Sequence, residues 1–253
     1  MTDFIKGSWR LFQPVRYFFL KHPFSLPGAY IKYLRSYARF KRMGGNATYR
    51  YLAPYLQLPN HDTQSGGGHY FFQDIWALRL LKNNGADVHY DVGSRFDGFV
   101  GQATAICKIV CVDIRKPDFD LEGLHFVQGS ILSLPFETAS IHSISCLHTV
   151  EHIGLGRYGD EIDPKGFENA VLELSRILAK NGNLYLSMPI GRERVEFNAQ
   201  RILSPLTPLR ILDKLVLQEF SVVDDEGKFH RNVDPKDYTK ANYSCGLYWF
   251  KKQ

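Results

Sequence analysis

Between residues 88 and 190 the apolar positions switch repeatedly between a period of two and a period near 3.6. The runs VHYDVG, ICKIVCVDI, LHFVQGS, SIHSISCLH and NLYLSMPI read as short strands, and residues 167–180 read as an amphipathic helix closed by Asn181-Gly182. Alternation of this kind predicts a mostly parallel sheet with crossover connections, of which those after the first two strands are short. Upstream, HYFFQDIWALRLLKNN sets Phe72, Ile75, Trp76 and Leu80 at helical spacing and stops at Gly85. Downstream come a helix around residues 201–215, a strand LQEFSVVDD, a polar loop and a last strand SCGLYWFKK. Those two strands, joined without a clear helix, predict an antiparallel hairpin at the edge of a seven-stranded sheet.

Charge divides the chain differently from hydropathy. The net charge is +5, yet residues 1–50 hold ten Lys or Arg against the single acid Asp3, so the remainder is acidic on balance. The basic segment interleaves Trp9, Phe12, Tyr17, Phe18, Phe19, Tyr30, Tyr33 and Tyr37 with Arg10, Arg16, Lys21, Lys32, Arg35 and Arg39. Pro23, Pro27 and Gly28 break it into two helical pieces, and a turn-rich stretch over residues 54–68 marks a boundary. Residues 1–68 are thus expected as an extension and 69–253 as the main domain. Residues 1–42 suit the interface of an anionic membrane, or equally a pair of helices packed on the core with their cations in water. No nucleic-acid partner is expected, because the cations form no binding motif. The four cysteines include no C-x-x-C pair, and no apolar stretch resembles a signal peptide or reaches spanning length. A cytoplasmic protein without disulfides or a metal site, peripheral at the inner membrane face if the extension docks there, is the expectation.

Four sequence elements carry candidate chemistry. Asp91-Val92-Gly93-Ser94-Arg95-Phe96-Asp97-Gly98 follows a strand and opens into a helix containing Gly101, a turn at which glycine lets backbone approach a ligand. Asp113, with Ile114, ends the next strand, where a carboxylate can accept hydrogen bonds from both hydroxyls of a ribose. Gln128-Gly129-Ser130-Ile131 leads into Leu134-Pro135-Phe136, and Ser145-Cys146-Leu147-His148-Thr149-Val150-Glu151-His152 closes the fourth strand.

In this order and spacing the four elements resemble the cofactor site of class I S-adenosylmethionine-dependent methyltransferases. The resemblance implies a Rossmann-like α/β fold, S-adenosylmethionine as cofactor, and Asp91, Gly93, Arg95, Asp113, Ile114, Ser130, Ile131 and His148 around it. Arg95 and Asp97 stand where that group has its second and third glycines, Gly98 comes one place late, and Ser130 stands where Asp is common. The blocks DVGSRFDGFVG, VDIR, LPF, LHTVEHIGLGRYGD, MPIGRERVEFNAQR and CGL also resemble a family of bacterial proteins of unassigned function encoded among surface-polysaccharide genes.

His148-Thr149-Val150-Glu151-His152 also spells H-x-x-E-H, an inverted zinc-protease motif, but it follows a strand and runs into Ile153-Gly154, which does not continue a helix. A Glu-His pair after the fourth strand of a small-molecule methyltransferase fits the context better. His152 is the first candidate base, with Glu151 and Asp160 next; a structural histidine is the alternative. In the loop over residues 154–160, Arg157 and Tyr158 are candidates to hold a polar acceptor, joined by Arg192 and Asn198, unless the loop is a self-paired cap. The expected reaction is methylation of a sugar, nucleotide-sugar or lipid-linked glycan. A non-catalytic relative docking on membrane or a biosynthetic complex is the competing expectation, and a different enzyme on the same fold the third.

Overall fold

The computed structural model describes residues 26–46, Leu52 and 67–253. The chain divides into two compact units, Met1–Ser65 and Gly66–Gln253. Within the first, helix α1 (Leu26–Arg42) has no acid in its first turn and ends on Arg39, Lys41 and Arg42, where cations meet the helix dipole favourably. Pro27 and Gly28 fall inside its first turn, a position that tolerates proline, so they begin this helix rather than interrupt it. By helical spacing Tyr30, Tyr33, Tyr37 and Phe40 share one face, and Lys32, Arg35, Arg39 and Arg42 lie on the opposite one. The more N-terminal helical piece and most of the turn-rich boundary lie outside the described residues.

The second unit opens with α2 (His69–Asn84), which ends where Gly85 turns left-handed at φ 63° and donates its N–H to the Leu81 carbonyl. Its buried stripe is Gln73, Trp76, Ala77, Leu80 and Leu81. Ile75, expected on that face, is only half-buried, and Gln73 takes a core position because its Oε1 accepts the Ser187 hydroxyl.

Eight strands follow in one sheet: β1 (Val88–Val92), β2 (Lys108–Asp113), β3 (Leu124–Gln128), β4 (Ile141–Leu147), β5 (Leu178–Ile190), β8 (Leu215–Val223), β9 (Phe229–His230) and β10 (Ser244–Lys252). Their order is β3-β2-β1-β4-β5-β10-β8-β9. The first five are parallel, and β10 runs antiparallel between β5 and β8. The expected seven strands are all present, and the eighth is the two-residue β9. Two helical layers sandwich the sheet, and a one-turn helix α3 (Gly101–Ala103) follows β1. Alternate residues of β5 show why: Leu184, Leu186, Met188 and Ile190 join the core containing helix α4 (Gly166–Ile177), whereas Tyr185 joins the core under α2.

Three boundaries depart from the sequence reading. Helix α4 ends at Ile177 rather than Lys180, because Leu178 is already extended and pairs with Ile141; Asn181, at φ 62°, turns the chain within β5. The helix expected over residues 201–215 is instead a hairpin of β6 (Arg194–Glu196) with β7 (Gln200–Ile202), then a short α5 (Thr207–Ile211). Pro205 and Pro208 explain the shortening, since proline is tolerated in a first turn and not in a helix interior. Residues 114–123 and 129–140 cross between parallel strands without a helix, leaving long loops at the carboxyl ends of β2 and β3.

Candidate active site

The carboxyl ends of β1, β2 and β4 and the loops beyond them enclose a cavity of about 940 Å³, a size that admits a cofactor-sized ligand. Gly93, Arg95, Asp113, Ile114, Ser130, Ile131, His148, Glu151, His152, Arg157, Tyr158 and Asp160 all border it. Arg192 and Asn198 do not. The Arg192 guanidinium donates to the Lys240 carbonyl, and Asn198 sits in the turn between β6 and β7. Their place after the fifth strand suggested a common mouth, but of residues 191–202 only Gln200 borders the cavity. Neighbouring Arg201 is buried and donates to the carbonyls of Ile153 and Asp163, a structural tie.

Asp91 also leaves the cavity wall. Its fully buried carboxylate accepts from the backbone N–H and hydroxyl of Ser94 and from the hydroxyl of Ser145. The Ser94 hydroxyl accepts in turn from Leu147 N, so one serine joins the turn after β1 to the end of β4. Asp91 therefore shapes the turn and does not face a ligand. Behind it runs a buried polar chain. Ser145 spends its only proton on Asp91, so it accepts from His89 Nε2–H; Ser143, at 2.7 Å, then donates to His89 Nδ1. Burial pushes the Asp91 carboxyl up to about 6, against its serine hydrogen bonds, and pushes the His89 imidazole down to about 3. These serines are sites the sequence reading missed. Only their two-residue alternation along β4 hinted at a polar inner row.

Gly93 has φ 74°, and a Cβ there would lie 2.5 Å from Thr149 Cγ2. The turn can thus approach the β4 loop only without a side chain. The substituted positions pair with each other at the exposed rim: Arg95 donates twice to Asp97 and lies over the Tyr70 ring. This explains how a charged turn replaces a glycine-rich one without leaving buried charge.

At the end of β2 the Asp113 carboxylate accepts from Arg115 N at 2.8 Å and from the Arg115 guanidinium. Arg115, not foreseen from the sequence, also lies over the Tyr158 ring, 4.9 Å from its centroid. The Ser130 hydroxyl accepts from Leu132 N within its own turn.

The motif after β4 forms a 3-10 turn, Val150–His152, not a zincin helix. His148 Nδ1 donates to Glu151 Oε1 at 2.8 Å, which leaves His148 Nε2 and Glu151 Oε2 buried without partners. Burial works against charge on His148, but Cys245 and Glu151 beside it outweigh that and lift its proton affinity well above the ordinary value. His152 Nδ1 donates to the Ala199 carbonyl at 2.8 Å, so the neutral ring holds its lone pair on Nε2. Glu151 Oε1 lies 3.7 Å from that nitrogen. Glu151 is thus a buried orienting group rather than an exchangeable base. Asp160 is no base either. Burial is outweighed by the N–H groups of Tyr158, Gly154 and Gly156, which hold its carboxyl below the usual range and use it to fold the loop. Arg157 donates to Ala199 O and lies against Tyr158.

A family described as "Caenorhabditis protein of unknown function, DUF268" matches residues 136–225. No curated protein matches the sequence. Among solved structures, the N-methyltransferase NodS from Bradyrhizobium japonicum, in complex with S-adenosylhomocysteine, is 16% identical with a TM-score of 0.50, over 72% of this chain and 86% of its own. A geranyl diphosphate methyltransferase in complex with S-adenosylmethionine is 15% identical with a TM-score of 0.51, over 72% and 85%. The fold is that of the class I S-adenosylmethionine-dependent methyltransferases.

Proposed function

We propose that this chain is an S-adenosylmethionine-dependent methyltransferase that methylates a hydroxyl of a sugar, nucleotide-sugar or lipid-linked glycan in surface-polysaccharide synthesis. The observation that carries the reading is a single cavity joining the Gly93 turn, the Asp113 carboxylate and His152. These residues fit the cofactor. The wall at Gly93 is bare backbone, Asp113 offers a carboxylate where a ribose diol would seek one, and Ile114 and Leu132 present half-exposed apolar side chains for a base.

When bound, the cofactor supplies an electrophilic methyl group on a sulfonium. The chain's own residues do the rest by positioning and proton transfer. The Nε2 of His152, which borders the cavity, would take the proton of the acceptor hydroxyl as that oxygen receives the methyl group. Ala199 O and Glu151 flank the imidazolium so formed. Arg115 and Arg157, both lying over the Tyr158 ring, suit an anionic group such as the diphosphate of an activated sugar.

The His152→Ala variant is expected to lower kcat by about 10²-fold or more, as loss of a general base does, with S-adenosylhomocysteine affinity unchanged. Loss of both together would remove the catalytic role and leave a structural one. The reading itself is tested by calorimetric titration with S-adenosylmethionine and S-adenosylhomocysteine, then by methyl transfer to nucleotide-sugar acceptors. The competing reading, a non-catalytic relative, draws on Arg115, which already occupies Asp113; a folded protein that binds neither ligand would favour it.

The exposed cations Lys32, Arg35, Arg39 and Arg42 along one face of α1 support a place for this protein at the cytoplasmic membrane face, with residues 1–42 as the docking segment. Removing residues 1–42 is then expected to release the protein from vesicles containing anionic lipid, and to do so in low salt as well as high. Sedimentation with vesicles unchanged by the truncation would reject the docking role.

A further inference from the structure

His69, His148 and Cys245 come from three elements distant in sequence, the first residue of α2, the end of β4 and the start of β10. Their donor atoms all lie within 4.8 Å of one another. His148 belongs to this cluster, and its Nε2 is buried without a hydrogen-bond partner. His148 carries an orienting acceptor on its other ring nitrogen, Glu151 Oε1 on Nδ1 at 2.8 Å. Histidine ligands are oriented in this way in metal sites, where the second nitrogen holds a carboxylate or backbone carbonyl and the first turns to the ion. The ring centroids of His69 and His148 are 5.6 Å apart, and Tyr243 also stacks on His69 at 5.1 Å.

We propose that His69, His148 and Cys245 bind a divalent transition-metal ion, zinc by the chemistry of one thiolate and two imidazoles. A hard ion such as magnesium would want oxygen donors, which this set lacks. Zinc bonds of about 2.0–2.3 Å require the three donors to draw together by about 1 Å. His69, half-buried at the first residue of α2, is the least buried of the three donors. Three protein donors are one short of a closed four-coordinate site, the number found where an ion keeps a position open. His148 and Tyr243 also border the cavity, so the ion would sit at its wall and tie α2 to the sheet there. The site differs from the H-x-x-E-H reading, because His152 is committed to Ala199 and takes no part. No short motif announces it, since the ligands are scattered over the chain.

The test uses full-length protein stripped with a chelator and titrated with Zn²⁺ against a chromophoric competitor, and separately with Co²⁺. Expected are one equivalent of zinc, visible bands of four-coordinate cobalt, and a sulfur-to-cobalt charge-transfer band. Cys245→Ser should abolish the charge-transfer band. Because Cys245 is buried and its replacement can unfold the protein, His69→Ala at the helix start provides the second arm. It should weaken zinc binding by about 100-fold or more, at least the effect of losing an orienting partner, with circular dichroism unchanged. Absence of stoichiometric uptake, or uptake that His69→Ala leaves intact, would overturn the proposal. None of these readouts depends on methyl transfer or on S-adenosylmethionine.

Discussion

Asp113→Ala should abolish measurable binding of S-adenosylhomocysteine, weakening it by about 100-fold or more, since each hydrogen bond to a charged group contributes about 1.5–3 kcal/mol and a ribose diol makes two. The same site makes an unusual counter-prediction. Asp113 is nearly buried, with 11% of its side chain exposed, but its partner Arg115 is 62% exposed. An ion pair so open to water contributes about 1 kcal/mol at most, so the guanidinium is a weak competitor for the carboxylate. Arg115→Ala should therefore tighten binding, by no more than about fivefold. Calorimetric titration of both variants separates a ribose carboxylate from a surface ion pair. Wild-type affinity in Asp113→Ala would end the assignment, and a collapse of affinity in Arg115→Ala would mean that Arg115 itself holds the ligand.

The strands themselves were legible because each parallel strand announces itself locally. VHYDVG, ICKIVCVDI and SIHSISCLH are short apolar runs bounded by polar turns, and the glycine turn and Asp113 must then fall at one edge of the sheet. Boundaries set by long-range pairing were not legible. Leu178 leaves helical geometry to pair with Ile141, and nothing local to Leu178 states that choice. The candidate site divides in the same way. Asp113 and His152 border the cavity, as expected of residues at the end of β2 and in the turn that follows β4. The roles of Asp91 and Asp160 were misread, since a carboxylate that organises a turn and one that meets a ligand look alike in sequence. Arg192, before β6, and Asn198, in the β6–β7 turn, lie off the cavity, because the pairing that shapes this segment is not stated locally. Ser94, Ser145 and Arg115 went unseen because their significance lies in what they contact.

The buried chain from His89 through Ser145 to Asp91 predicts a compensated pH dependence of stability. The His89 pKa falls from 6.5 to about 3 on folding, so below pH 6.5 the unfolded chain takes up a proton that the folded protein refuses. Stability is lost as pH falls through that window, by on the order of 5 kcal/mol once below pH 3. The Asp91 pKa rises from 3.8 to about 6, so its sign is opposite. The stability contributed by its protonation is full below pH 3.8 and is lost as pH rises to 6, about 3 kcal/mol in all. Between pH 8 and pH 4 the two nearly cancel, and wild-type protein should show little net slope from this pair. Asp91→Asn leaves His89 unopposed and should lose about 2 kcal/mol more than wild type on acidification to pH 4. His89→Gln, which can still bond Ser143 and Ser145, should lose about 3 kcal/mol less than wild type over the same range. Urea unfolding at a series of pH values reads both, and pH profiles parallel to wild type in both variants would contradict the linkage. The compensation has a structural consequence, because Asp91 holds the Ser94 turn that forms the cavity. A carboxyl that changes charge near pH 6 would by itself make that turn pH-sensitive, whereas the neutral histidine behind Ser145 balances its effect on stability across the same range.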